Sequence, residues 1–294
     1  MTKPGRGGSG RVLFSGVSAA AGSSGFRGVP HCQEVLPRMV RTQLSVNLNK
    51  VALVRNAREG NTPDPVRFGR IALEAGAHGL TVHPRPDERH IRASDLRPLK
   101  DLIDAFPGRE LNIEGNPFEN LMPLLREIRP HQATFVPDAV GQKTSDHGFD
   151  FADPAVREAL VPVVAEAKAL GIRVSLFMDP EPDFVEWAKS VGADRIELYT
   201  EAYAAAWNTP IADAVTTPYA DCAKLAGEAG LGVNAGHDLS LENLRPLLEA
   251  CGNILEVSIG HAFTAEALEY GFADTVRRYN AVFDAVAEAV KERK

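Results

Sequence analysis

Strand-like and helix-like patterns alternate eight times between residues 44 and 292, and this alternation restricts the fold more than any other feature of the chain. Short apolar runs fall near residues 44–48, 79–83, 110–114, 133–136, 172–177, 195–199, 231–234 and 254–259. Between them apolar residues take helical spacing at 65–75, 95–105, 118–129, 154–169, 181–191, 217–229 and 241–250. Residues 264–292 close the chain, with Gly271 expected to divide them. Gly76, Gly171, Gly192 and Gly230 each stand shortly before a new strand, where a left-handed residue ends a helix. Alternation without consecutive strands implies an α/β fold with a parallel sheet, since parallel neighbours need a crossover connection. Eight such units predict closure into a (β/α)8 TIM barrel, with an open doubly wound sheet as the alternative.

Length and charge narrow the class further. The 294 residues suit one barrel of about 250 residues with an added segment. Residues 1–38 are rich in Gly and Ser, lack hydrophobic periodicity and hold five Lys/Arg against one acid, which leaves −11 for the remainder of a chain of net charge −7. Residues 1–40 therefore read as a disordered leader or a mis-assigned start, with Met39 as an alternative first residue and 41–294 as the single barrel domain. The acidic balance offers no basic footprint for nucleic acid. At 44% apolar residues, the chain has no run near the roughly 20 needed to cross a bilayer. Cys32, Cys222 and Cys251 are widely spaced, which suits a reducing cytoplasm. HExxH and CxxC spacings are both missing, so no metal is expected.

A strand buried in a parallel sheet should be apolar on both faces, yet these strands carry polar residues that cost free energy unless something satisfies them. The runs are LSVNLNK at 44–50, GLTVH at 79–83, LNIE at 111–114, RIELY at 195–199, LGVNAGH at 231–237 and LEVSIGH at 255–261. Residues two apart share a strand face, which pairs Asn47 with Asn49, Thr81 with His83, Asn112 with Glu114 and Glu197 with Tyr199, all expected to point into the barrel. His83, Glu114, His237 and His261 then fall at the C-terminal ends of strands 2, 3, 7 and 8, where active sites of this architecture lie. Any one of them alone reads as a satisfied core or loop residue; their joint placement points to one titratable cavity.

The loops after strands 7 and 8 read Ala-Gly-His-Asp (235–238) and Ile-Gly-His-Ala (259–262). Glycine admits close backbone approach, and the following helix N-termini offer N–H groups to a phosphate. The first β–α loop supplies Arg55 and Arg58 before a rigid Pro63-Asp64-Pro65 helix start, and the second supplies Arg85, Arg89 and His90. Guanidinium groups at these positions are candidates for a second anionic group, against the plainer reading of solvated loop charges.

Together these residues resemble the pyridoxine 5′-phosphate synthase family. Val46-Asn47, Arg55-Asn-Ala-Arg58, Pro63-Asp-Pro65, Gly79-Leu-Thr-Val-His83 with Arg85 and Arg89-His90-Ile91, Asn112-Ile-Glu114, Val136-Pro137, Val174-Ser-Leu-Phe177, Ile196-Glu197, Val233-Asn-Ala-Gly-His237 and Ile259-Gly-His261 carry the likeness, across residues 44 to 290. The resemblance implies a (β/α)8 enzyme that condenses 3-amino-2-oxopropyl phosphate with 1-deoxy-D-xylulose 5-phosphate to give pyridoxine 5′-phosphate and phosphate. It implies no metal or organic cofactor, and a homo-octamer. By resemblance His83 and Glu114 are proton acceptors, His237 is a proton donor and Glu197 stabilises the transition state. Asn47, Arg58, the backbone at Asp238 and Gly260-His261 would hold the aminoketone phosphate; Arg85, His90 and Thr144 would hold the deoxyxylulose phosphate.

Three departures touch ligand loops. Where the family commonly has Asp-His, the chain has Asn49-Lys50, with Lys50 a replacement phosphate-binding cation; the family's Glu-Lys-Arg after Val-Pro is Asp138-Ala139-Val140; and its glycine after Ala-Gly-His is Asp238. A diverged lyase or isomerase acting on a related phosphosugar or phosphoamine, and a non-catalytic barrel that binds phosphate ligands, stay open as alternatives. Proton transfer on a bound intermediate also predicts a raised pKa for Glu114, through burial beside Asn112.

Overall fold

The computed structural model describes residues 41–142 and 144–292, which belong to one compact unit; the expected leader, Met39 and Cys32 lie outside them. Eight parallel strands close into a barrel in sequence order: β1 (Gln43–Asn47), β2 (Gly79–Val82), β3 (Glu110–Gly115), β4 (Gln132–Phe135), β5 (Arg173–Met178), β6 (Arg195–Tyr199), β7 (Gly232–Gly236) and β8 (Ile254–Ile259). Strand β8 returns to β1 with Ser258 opposite Ser45, so no sheet edge is left open and the open-sheet alternative is excluded.

Eleven helices are present among the described residues: α1 (Asn49–Asn56), α2 (Pro65–Glu74), α3 (Ala93–Asp104), α4 (Leu121–Ile128), α5 (Pro154–Ala169), α6 (Pro182–Ser190), α7 (Glu201–Ala206), α8 (Ala212–Ala229), α9 (Leu244–Cys251), α10 (His261–Tyr270) and α11 (Phe272–Glu292). The expected division of the last segment at Gly271 is present, and Gly76, Gly171, Gly192 and Gly230 all take positive φ. Helix α2 starts as the Pro-Asp-Pro motif predicts: the Asp64 carboxylate accepts the Val66 N–H at 3.0 Å, and Pro65 occupies the first turn, where a missing N–H costs nothing. Two helices differ from the sequence reading. Residues 49–56 form α1 rather than a loop, so Asn49 is helical and does not share a strand face with Asn47. Helix α7 is also new, only six residues long, too short for its periodicity to register. No helix among the described residues is long and apolar enough to cross a membrane.

The strands divide their faces cleanly. Leu44, Val46, Leu80, Leu111 and Ile113 are fully buried in the main apolar cluster. The intervening polar residues point into the lumen. Thr134 on β4 donates to Glu197 on β6 at 3.3 Å although β5 lies between, and Gln132 on β4 reaches Glu256 on β8 at 3.3 Å. The Ser45 and Thr81 hydroxyls pair at 2.6 Å, Asn112 donates to Thr81 at 3.4 Å, and Thr134 also lies 3.1 Å from Asn112 Oδ1. These buried polar groups satisfy one another, which is what makes a polar lumen tolerable, while Ser175 Oγ on β5 and Asn234 Nδ2 on β7 are buried without a hydrogen-bond partner.

Candidate active site

A cavity of about 470 Å³ opens where the strands end, and the polar lumen leads into its floor. His83, Glu114, Glu197 and His237, from four different strands or the residues just after them, all line it. Asn47, Asn49, Lys50, Arg85, Arg89, His90, Thr144, Asp238, Gly260 and His261 line it too, so thirteen of the fourteen residues singled out as catalytic or substrate-binding share one cavity, Arg89 being additional to that set. Arg58 is the exception: it is exposed after the last turn of α1 and does not join the cavity wall of its own chain. Arg55 is neither a solvated charge nor a ligand contact. Its guanidinium is buried and grips both oxygens of Asp95 at 2.6 and 2.9 Å and the His90 carbonyl at 2.9 Å, tying α1 to the loop that carries His90.

Burial sets the protonation of the central groups. Desolvation raises the Glu114 carboxyl from 4.5 to about 7, helped by the Asp138 carboxylate and opposed by His237 and Arg85. The expected direction is present, but Asn112 is turned to Thr81, and the amide near Glu114 Oε2 is Asn47 Nδ2 at 3.5 Å. Desolvation, with Glu114 and Glu256 close by, pushes Glu197 well above the usual carboxylate range, against the hydrogen bond from Thr134. His83 is pushed well below the usual histidine range by burial and then by Arg85. Its Nδ1 lies 3.9 Å from Glu114 Oε2. Burial thus favours a neutral imidazole at His83 and the protonated forms of Glu114 and Glu197 on the floor.

Glycines shape the rim. A Cβ on Gly236 would stand 2.5 Å from Glu197 Oε1, so the acid lies directly against strand β7. A Cβ on Gly260 would meet Asn47 Cγ at 3.1 Å, and α10 begins at the very next residue, presenting free N–H groups beside His261. Asn47 Oδ1 accepts the Asn49 N–H at 3.0 Å, and Asn49 Oδ1 accepts the His83 N–H at 2.9 Å, so Asn49 fixes the backbone of a floor residue. His237 Nε2 lies 3.0 Å from the Thr144 hydroxyl and Nδ1 lies 3.0 Å from Asp238 Oδ2. A small apolar wall of Val136, Phe177 and Tyr199 stands beside them, with the Tyr199 ring edge-on to His237 at 5.0 Å between centroids.

The opposite rim is cationic. Arg85 pairs with Asp138 and donates to the Gln142 carbonyl at 2.9 Å, which Arg89 also reaches at 2.9 Å. His90 is held at about 4 by burial and by Arg85 and Arg89. The sequence reading gave no role to Ser258, Ser145, Phe177 or Leu53, all of which line the cavity. Ser258 was within reach of strand parity, two residues before Gly260 and on its face, whereas Ser145 and Leu53 lie on segments with no periodic signal. Among the described residues no group of three or more His, Cys, Asp or Glu is arranged to hold a metal ion.

Comparison with known proteins places the chain in a family. The family model described as pyridoxal phosphate biosynthesis protein PdxJ matches residues 44–285. A pyridoxine 5′-phosphate synthase of Albidiferax ferrireducens is 54% identical over 243 residues, covering 81% of this chain and 96% of its own. One from Xylella fastidiosa is 51% identical over 262 residues, covering 86% and 99%. Among solved structures, one of the Amycolatopsis orientalis BexX/CysO complex superposes with a TM-score of 0.54 at 15% identity, over 87% of this chain and 93% of that one, a likeness of fold alone.

Proposed function

Since the chain belongs to the pyridoxine 5′-phosphate synthase (PdxJ) family, we propose that its cavity joins 3-amino-2-oxopropyl phosphate to 1-deoxy-D-xylulose 5-phosphate and closes the pyridine ring. The observation that carries this reading is the single cavity in which two histidines and two glutamates stand between a glycine-lined helix start and a cationic rim. The aminoketone phosphate lies against Asn47, the Asp238 backbone and Gly260-His261. The deoxyxylulose phosphate lies against Arg85, His90, Thr144 and Lys50, which stands where the family commonly has histidine.

Forming the C–N bond, expelling water and phosphate, and closing the ring moves several protons on one bound intermediate, each transfer worth about 10² to 10⁴ in rate. His83, kept neutral by burial, accepts a proton. Glu114, near 7, takes one and returns it at little cost in either direction. Glu197, whose protonated form burial favours, donates a hydrogen bond to negative charge as it develops on the intermediate. His237 protonates the leaving oxygen. Asn49-Lys50 and Asp238 are the residues that favour a diverged substrate; here Asn49 is engaged with the His83 backbone and the Asp238 carboxylate with His237. A homo-octamer, as the family resemblance implies, and a cytoplasmic location, which the widely spaced cysteines suit, belong to the same proposal. Supplying each substrate alone and then both tests it: pyridoxine 5′-phosphate should require both, and turnover of either alone would replace the synthase with a lyase or isomerase.

A further inference from the structure

His237 and Asp238 are both left-handed, with φ of 85° and 57°, in a turn pinned from two sides. The Thr200 hydroxyl donates to the carbonyls of Gly236, at 2.8 Å, and of His237, and Asn243 Nδ2 donates to the Asp238 carbonyl at 3.1 Å. Glycine adopts this conformation without penalty, whereas an aspartate bears strain and places a carboxylate at a rim that must accept a phosphate. What the side chain does with that position is visible: Oδ2 stands 3.0 Å from His237 Nδ1, while the Thr144 hydroxyl stands 3.0 Å from Nε2.

We propose that Asp238 is a positioning residue for the proton donor, accepting the Nδ1–H of His237 so that the ring is fixed in one orientation and one tautomer, with Nε2 facing the reacting intermediate. This rests on the synthase reading for the role of His237. The step balances simply. The Nε2–H bond of the imidazolium breaks, its electron pair stays on nitrogen, the leaving oxygen gains the proton, and a neutral ring remains with its proton on Nδ1 beside the carboxylate. The hydrogen bond from His237 holds the Asp238 carboxyl below the usual carboxylate range, so the acceptor is ionised at neutral pH. The other titratable groups around the pair are Glu114 on β3, Tyr199 on β6, Lys50 on α1 and His261 on α10. Lys50 and His261 offset the negative charge that Asp238 brings to the phosphate rim.

The test compares Asp238→Gly and Asp238→Asn by 15N solid-state NMR of protein labelled at histidine, with His237→Gln used to assign the ring. The neutral ring should carry its proton on Nδ1 in the native protein and in Asp238→Asn, whose amide oxygen still accepts, and should shift toward Nε2–H in Asp238→Gly. Asp238→Gly should melt no lower than the native protein, because glycine relieves the strain at this φ. Its kcat should fall about tenfold or more, with KM for both substrates within about twofold, because only part of the general-acid contribution depends on ring orientation. An unchanged tautomer in Asp238→Gly would overturn the proposal, as would an unchanged kcat with a lowered KM, which would make Asp238 a mere repellent of phosphate. Should the native protein make no pyridoxine 5′-phosphate, the synthase reading falls by itself, and the tautomer comparison still decides for or against Asp238.

Discussion

Glu114→Gln probes the floor of the cavity through stability as well as rate. The carboxyl titrates at about 7 in the folded chain against 4.5 in its ordinary state, so between those values the folded chain holds a proton that the unfolded chain has released. Stability from this group is therefore fully present below pH 4.5 and is lost as pH rises toward 7. Each pH interval of one carries about 1.4 kcal/mol, which puts the loss between pH 5 and pH 8 at about 2 to 3 kcal/mol. Glutamine has nearly the same shape, keeps an oxygen for Asn47 Nδ2 and does not titrate. Urea unfolding of both proteins at pH 5 and pH 8, at one protein concentration, should show the variant losing about 2 to 3 kcal/mol less than the native chain over that interval. Turnover should fall by about 10² to 10⁴ at pH 7.5, since one acid–base group is gone. An equal loss of stability with pH in the two proteins would refute the reasoning, because Glu114 would then titrate as an ordinary carboxyl.

Other substitutions separate packing from chemistry. Gly236→Ala sets a methyl 2.5 Å from Glu197 Oε1, so the carboxyl must shift; kcat should fall about tenfold or more, and a structure of the variant should show the carboxyl displaced. Arg55→Ala leaves the Asp95 carboxylate with the Arg92 N–H but without its buried cation, and should cost about 3 to 5 kcal/mol in denaturant unfolding, as for other broken buried ion pairs. Arg58→Ala, on an exposed turn, should change the same measurement by no more than about 0.5 kcal/mol.

The fold was legible in the sequence because each β–α unit carries its own punctuation: an apolar strand, a helix of regular period, and a left-handed glycine such as Gly171 or Gly230. Polar residues at alternate strand positions gave away the lumen and hence the cavity floor, since strand parity is a geometric rule that tertiary context rarely breaks. Parity failed at Asn49, where the chain leaves β1 and turns helical, the Asn49 N–H being taken by Asn47 Oδ1. Loop cations were the least legible. Arg55 and Arg58 stand three residues apart with the same chemistry, and only the position of Asp95, some forty residues on, decides that the first is buried. Asp138 read as a lost family residue and is a buried partner of Arg85 and Ser145, a contact that joins the second and fourth β–α loops and leaves no local signature.

The central claim is that this cavity closes the ring with His237 as proton donor. The most direct measurement follows pyridoxine 5′-phosphate and phosphate together, from 3-amino-2-oxopropyl phosphate and 1-deoxy-D-xylulose 5-phosphate, for the native chain and for His237→Ala. The native chain should form both products in step and the variant should be slower by about 10² to 10⁴. A native chain that folds and binds both substrates yet forms no ring, or a variant that keeps the native rate, would contradict the account.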